Sequence, residues 1–381
     1  MTRVAVNPDL LRWARERARM DALELLTRFP RLGQWESREV EPTLKQLEAY
    51  ARATHVPVGY LFLQAPPDEP LPIPDFRTMA GRAIPRPSPN LLDTLYACQE
   101  RQSWYREFAQ VTGESALSFV GSVTTRTNPV EIAARMRSTL GFDIDERRDC
   151  PTWTEALRRF LDRADRTGVL VMVSGVVSSN NRRRLDPEEF RGFALADDKA
   201  PLVFINGADS KAAQMFTLAH ELAHIWLRMS ALSDSGPASM PNNAVELWCN
   251  QVAAELLVPL EILRAEVVGG ESLQDSLARH ARRFKVSTLV ILRRLFDAGR
   301  LSRPAFFSAY EQESARIADL KKGAGGDFYR TTIARVSRRF ARALIESTLE
   351  GRTLYRDAFR MLGISKTKTF NEFGRSLDFN L

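Results

Sequence analysis

Phe216-Thr217-Leu218-Ala219-His220-Glu221-Leu222-Ala223-His224-Ile225-Trp226 lies near the middle of a 381-residue chain, and every other stretch is interpreted from it. Leu222 and Ala223 are strong helix formers, and Phe216, Leu218, Ile225 and Trp226 give the segment an apolar body, so the pattern predicts a buried helix. At about 3.6 residues per turn, His220 and His224 fall one turn apart on a single face, which lets both imidazoles reach one cation. Glu221 follows the first histidine and is placed to take a proton from water polarised by that cation. The chain holds four histidines, His55, His220, His224 and His280, so accidental placement of two at this spacing around a glutamate is a poor explanation. His280 has no spacing that ties it to the motif.

Two imidazoles leave a tetrahedral ion short of a protein ligand. Downstream, Ala244 to Val258 reads as a second helix ended by Pro259. Glu246 lies 22 residues beyond His224, across the polar loop Ser230 to Asn243, and is the candidate third ligand. Cys249 and Asn250 follow one turn later on the same face. A thiolate can bind zinc, but the apolar surroundings make Cys249 a small core residue, and Asn250 reads as a side chain that orients a ligand. Glu255 rotates to a flank and reads as a surface or outer acid. Zinc is the expected cofactor, although a set of two histidines and a carboxylate also accepts manganese or iron.

These stretches, with Pro201-Leu202-Val203-Phe204-Ile205-Asn206 before them and Ala253-Ala254-Glu255-Leu256-Leu257-Val258-Pro259 after, resemble the ImmA/IrrE family of zinc metallopeptidases over roughly residues 165–265. The resemblance implies a zincin-like domain with His220, His224 and Glu246 as ligands and Glu221 as general base. It also implies a cytoplasmic bacterial or phage enzyme that cuts a transcriptional repressor; the identity of the substrate does not carry over.

The first 65 residues read as short helices: Asp9 to Arg19, Ala22 to Phe29, Arg31 to Arg38, Thr43 to Thr54 and a last turn from Val58. The runs Trp13-Ala14-Arg15-Glu16-Arg17-Ala18, Leu32-Gly33-Gln34-Trp35-Glu36-Ser37-Arg38-Glu39 and Glu41-Pro42-Thr43-Leu44-Lys45-Gln46-Leu47-Glu48 are similar to Xre-type helix-turn-helix domains. That likeness implies that Arg31, Gln34 and Arg38 contact DNA from the third helix, and their chemistry suits guanine and adenine edges. Arg28-Phe29-Pro30 replaces the usual glycine turn, and the competing reading is a module that packs on the peptidase or docks a protein.

Gln64 to Arg77 is too rich in proline for a helix or central strand and reads as a stiff linker. A second proline cluster, Pro85 to Pro89, precedes a long helix from Asn90 to Val111, then Pro129 to Leu140 and Thr152 to Arg166 with a charged loop between them. Three apolar, β-branched runs then predict strands: Gly168 to Val173, Phe190 to Leu195 and Pro201 to Asn206. An edge of that sheet is a place to hold an extended peptide. Helices follow at Leu273 to Phe284, Ser287 to Ala298 and Arg303 to Leu320, a hinge at Lys321 to Gly326, and a pair of basic helices with a short tail from Asp327 to Leu381. The expected architecture is α+β and mostly helical. It comprises a helix-turn-helix domain over 1–65, a linker and helical region over 66–128, the metallopeptidase domain over 129–300 and a helical C-terminal module over 301–381.

Composition narrows the function. Hydrophobic content is 44% and charged content 27%, and no apolar run approaches the length of a bilayer span, so a membrane protein is not expected. Three scattered cysteines and the absence of a signal-like apolar core at the N-terminus suit a reducing cytoplasm. A net charge of +7 favours acidic or phosphate-bearing partners, while Arg182-Arg183-Arg184, Arg293-Arg294 and Arg338-Arg339 read as solvated faces. The leading reading is a zinc endopeptidase that cleaves a protein substrate, a repressor or antitoxin-like regulator, with DNA-linked regulation. The alternative is a transcriptional regulator or antitoxin that keeps the peptidase fold as a binding scaffold.

Overall fold

The structure, a computed structural model, describes residues 3–77, 86–233, 243–318 and 333–379. The predicted hinge Lys321 to Gly326, residue Pro85 of the second proline cluster and most of the predicted loop Ser230 to Asn243 lie outside the described residues. Two compact units emerge, one from Met1–Pro72 with Ala83–Leu95, the other from Ile73–Arg82 with Tyr96–Leu381.

In the first unit, α1 (Pro8–Arg17), α2 (Ala22–Arg28), α3 (Leu32–Glu36) and α4 (Leu44–Ala53) are followed by a 3-10 turn at Val58–Phe62. Side chains of Asn7 and Asp21 cap α1 and α2, and Thr43 with Gln46 forms a capping box on α4. Leu11, Trp13, Leu32, Trp35, Leu47 and Tyr50 share one core, in which the Tyr50 hydroxyl donates to the Leu11 carbonyl at 2.7 Å. Helix α3 is shorter than its sequence predicts: Ser37 ends it, and Arg38 turns into the left-handed region at φ 62°.

The second unit is mostly helical around a four-stranded mixed sheet. Its helices before the sheet are the later part of α5 (Pro89–Val111), α6 (Pro129–Leu140), α7 (Ile144–Arg148) and α8 (Trp153–Arg166); α7 occupies the span expected to be a loop, because Asp143 caps it. Strands β1 (Leu170–Ser174), β2 (Gly192–Leu195), β3 (Leu202–Asn206) and β4 (Ala231–Ser233) lie in the order β1-β3-β2-β4, parallel between β1 and β3 and antiparallel elsewhere. The sequence shows three of these. The fourth is three residues long in a stretch that reads as polar loop, too short to carry an alternation.

Helix α9 (Lys211–Leu227) lies across β2 and β3. Ser210 caps its start, Arg228 ends it in a left-handed turn, and every residue from Gln214 to Trp226 is buried, as expected of a helix that is apolar on all sides. Helix and sheet approach closely at Gly192, where an added Cβ would stand 2.6 Å from Thr217 Cγ2, 2.8 Å from the Phe204 carbonyl oxygen and 3.2 Å from Glu221 Cγ.

Helix α10 (Ala244–Leu257) packs along α9 and α6. Its C-terminal carbonyls, which have no partner within the helix, are taken by guanidinium groups: Arg137 donates to Glu255 O at 2.8 Å, Arg147 to Leu257 O, and Arg294 to Val258 O at 2.9 Å. Glu255 is therefore not a surface acid; it forms a buried ion pair with Arg294 and accepts from the Leu260 amide at 3.2 Å. Burial, then the neighbouring Arg137 and Arg283 charges, push the Arg147 guanidinium down to about 9. Arg293 likewise bonds Asp297 at 2.9 Å, so the pair Arg293-Arg294 is structural rather than a solvated face.

After α11 (Leu260–Glu266), α12 (Leu273–Phe284), α13 (Thr288–Asp297) and α14 (Arg303–Ala318), the chain continues through α15 (Arg338–Leu349), α16 (Tyr355–Leu362) and α17 (Thr367–Arg375). The expected short tail thus contains a third helix. Helix α15 packs on β1 and α8, and Asp165 holds its start by accepting from Ser337 Oγ at 2.5 Å and the Arg339 amide at 2.9 Å. Arg339 also pairs with Glu114 at 2.6 Å, which removes it too from a purely solvated run.

Two outcomes follow. Gly192→Ala is expected to cost roughly 1–3 kcal/mol in denaturant unfolding, the range for overpacking a filled interface. Burial, only partly offset by the Ser337 and Arg339 contacts, raises Asp165 to about 6. The folded protein therefore retains a proton that the unfolded chain releases near pH 4, so this group's stabilisation is present below that pH and is lost as pH rises to about 6. Unfolding measured at pH 4 and pH 7 is expected to show a loss of up to about 3 kcal/mol from this group, and Asp165→Asn removes that slope.

Candidate metal centre

The face of α9 that carries His220 and His224 points at the first turn of α10, where Asn243 caps the helix and places Glu246. His224 Nε2 lies 3.1 Å from His220 Nε2 and 3.0 Å from Glu246 Oε1, and His220 Nε2 lies 3.2 Å from Glu246 Oε2. A tetrahedron with centre-to-ligand distances near 2.0 Å has edges of about 3.3 Å, so this donor set has the size of a divalent-ion site. Among the described residues His220, His224 and Glu246 form the one group of this kind able to hold a metal ion.

The protonation pattern suits that purpose. His220 Nδ1 is 2.9 Å from Asn250 Oδ1, which fixes the proton on Nδ1 and leaves the Nε2 lone pair facing the cluster. Burial lowers the His224 pKa despite the adjacent Glu246, so its imidazole stays neutral, the form that ligates. Burial raises the Glu246 carboxyl, but His220 and His224 outweigh it and hold the group well below the usual carboxylate range.

Glu221 behaves oppositely. Burial, then the Glu246 charge, push its pKa well above that of an ordinary carboxyl, and neither of its oxygens has a hydrogen-bond partner among the described residues. His224 Nδ1 and Asn250 Nδ2 are also without partners there. Buried polar groups in this state are costly unless something else meets them, and for the two Glu221 oxygens solvent held by a bound cation is the simplest group that would. Cys249 sits in the core beside them, its thiol pushed up by burial and then by Glu246 and Glu221, and it is not among the converging ligand atoms.

Two participants have no sequence signal. Ser233, the last residue of β4, places Oγ 3.3 Å from His224 Nε2 and donates to Glu246 Oε1 at 3.4 Å. Phe76, from the proline-rich stretch, stacks on the His224 ring with centroids 6.3 Å apart. His280 stays apart: its Nδ1 bonds the Ser276 carbonyl at 2.8 Å on α12. Arg31, Gln34 and Arg38 belong to the first unit, where all three side chains are exposed around α3.

Residues 336–376, which hold α15, α16 and α17, match a domain of unknown function. No curated protein matches the chain. Residues 164–296 match a peptidase family model described as the IrrE N-terminal-like domain, and that span holds the whole sheet, α9 and α10, hence His220, Glu221, His224, Ser233, Glu246 and Asn250.

Proposed function

We propose that the protein is a zinc-dependent endopeptidase in which His220, His224 and Glu246 hold the ion and Glu221 is the general base. The observation that carries this reading is the meeting of two Nε2 atoms and one carboxylate at 3.0–3.2 Å beside the buried Glu221, whose oxygens have no hydrogen-bond partner among the described residues. Bound zinc supplies Lewis acidity, lowering the pKa of water and polarising the scissile carbonyl. Glu221, as the carboxylate, takes the proton from the attacking water and delivers it to the leaving amine. Asn250 keeps the His220 ring in the ligating tautomer, and Ser233 orients the Glu246 carboxylate.

The substrate is a protein, a repressor or antitoxin-like regulator, acted on in the cytoplasm. The first unit is the DNA-reading part, with the exposed Arg31, Gln34 and Arg38 contacting base edges, so that cleavage and operator binding are linked on one polypeptide. A second reading, a regulator that uses the peptidase fold as a scaffold, draws on one observation: His220, Glu221 and His224 are each 0% exposed.

Replacement of one carboxylate separates the two. Glu221→Gln is expected to retain zinc by metal analysis and to lose roughly 10²–10⁴-fold in peptide-bond cleavage of a partner regulator; unchanged regulation in cells carrying it would favour the scaffold. Chelation should leave a folded, inactive protein, whereas a purely structural ion predicts unfolding. Asn250→Ala is expected to weaken zinc binding roughly 10–100-fold in a competition titration, the usual effect of losing a ligand's orienting partner.

A further inference from the structure

The edge of β4 is already taken. Leu232 donates its amide to the Pro74 carbonyl at 2.9 Å, and Phe76 donates to the Leu232 carbonyl at 2.9 Å, so the segment Ile73–Arg77 runs parallel to β4 as an added strand. Leu232 precedes Ser233, whose hydroxyl touches both His224 and Glu246, so the occupied edge is the one bordering the metal cluster. Phe76 covers the His224 ring from the same segment.

The segment is anchored at its far end. Arg77 is 3% exposed, pairs with Asp75 at 2.7 Å and donates to the Glu189 carbonyl at 3.3 Å, while Ile73 is buried. At the near end it cannot lengthen its pairing, because Pro72 and Pro74 have no amide hydrogen to donate. It is thus a short strand, held by two backbone hydrogen bonds and one buried arginine. A polypeptide adding to the same edge needs the Leu232 amide and carbonyl that Pro74 and Phe76 now use.

We propose that Ile73–Arg77 is an autoinhibitory strap that fills the peptide-docking edge and must leave before an extended polypeptide reaches Glu221. The proposal rests on the peptidase reading, and it accounts for the burial of His220, Glu221, His224 and Glu246. Substrate entry and strap release are then one exchange of strands at β4.

The zinc-loaded full chain tests it through solvent access to the ion as well as through activity. Arg77→Ala removes the anchor, and Phe76→Ala removes the ring while leaving the backbone intact should the first variant fail to fold. Transfer of zinc to a chelating dye is expected to speed up about tenfold or more in either variant, with faster hydrogen exchange at the Leu232 amide. A synthetic peptide of residues 70–77 added in trans should slow that transfer again, and a scrambled peptide should not. Wild-type transfer rates in folded variants, or no effect of the peptide, overturn the strap. Faster transfer that the peptide reverses, together with cleavage of labelled casein, supports both ideas. The same reversal with casein uncut upholds the strap, and the peptidase reading then falls if Glu221→Gln also leaves regulation in cells unchanged.

Discussion

Helix α10 is held lengthwise by charge at its C-terminal end. Carbonyls of residues 255, 257 and 258 receive Arg137, Arg147 and Arg294, and the Glu255–Arg294 pair closes the corner into α11. A helix gripped this way cannot slide along α9 without stranding buried guanidinium groups, a cost of several kcal/mol for each uncompensated charge. Since one residue of slip is a translation of about 1.5 Å, the clamp at one end sets where Glu246 sits at the other.

The same accounting of buried polar groups governs the cluster of His220, His224 and Glu246. Two imidazoles and two carboxyl groups, Glu246 held low and Glu221 pushed up, share a volume with almost no solvent contact. Glu246 and Glu221 are pushed in opposite directions because Glu246 faces the two histidines at 3.0–3.2 Å while Glu221 is buried beside the Glu246 charge. Gly192 permits this density: with no side chain at this position of β2, the helix bearing Glu221 comes close enough to the sheet for β4 and its Ser233 to complete the enclosure.

Much of the architecture was legible locally. Apolar runs with β-branched residues predicted β1, β2 and β3, and the i, i+4 spacing of His220 and His224 required a common face. What escaped was local structure with little periodicity: α7, a five-residue helix taken for a loop; β4, three residues long; and the added strand at Pro74 to Phe76, whose proline content argued against pairing. The charge of Arg293-Arg294 was visible, but its burial against Glu255 was not.

By itself the sequence determined that this is a mixed chain, mostly helical, with two histidines presented from one helical turn beside a glutamate, because periodicity and propensity act over a few residues. Tertiary structure decided which carboxylate meets those histidines, that a serine joins them, and that the chain's own Phe76 lies over His224. Those contacts depend on how rigid elements distant in sequence dock, and docking is set by packing and by the satisfaction of buried polar groups, which no local pattern encodes.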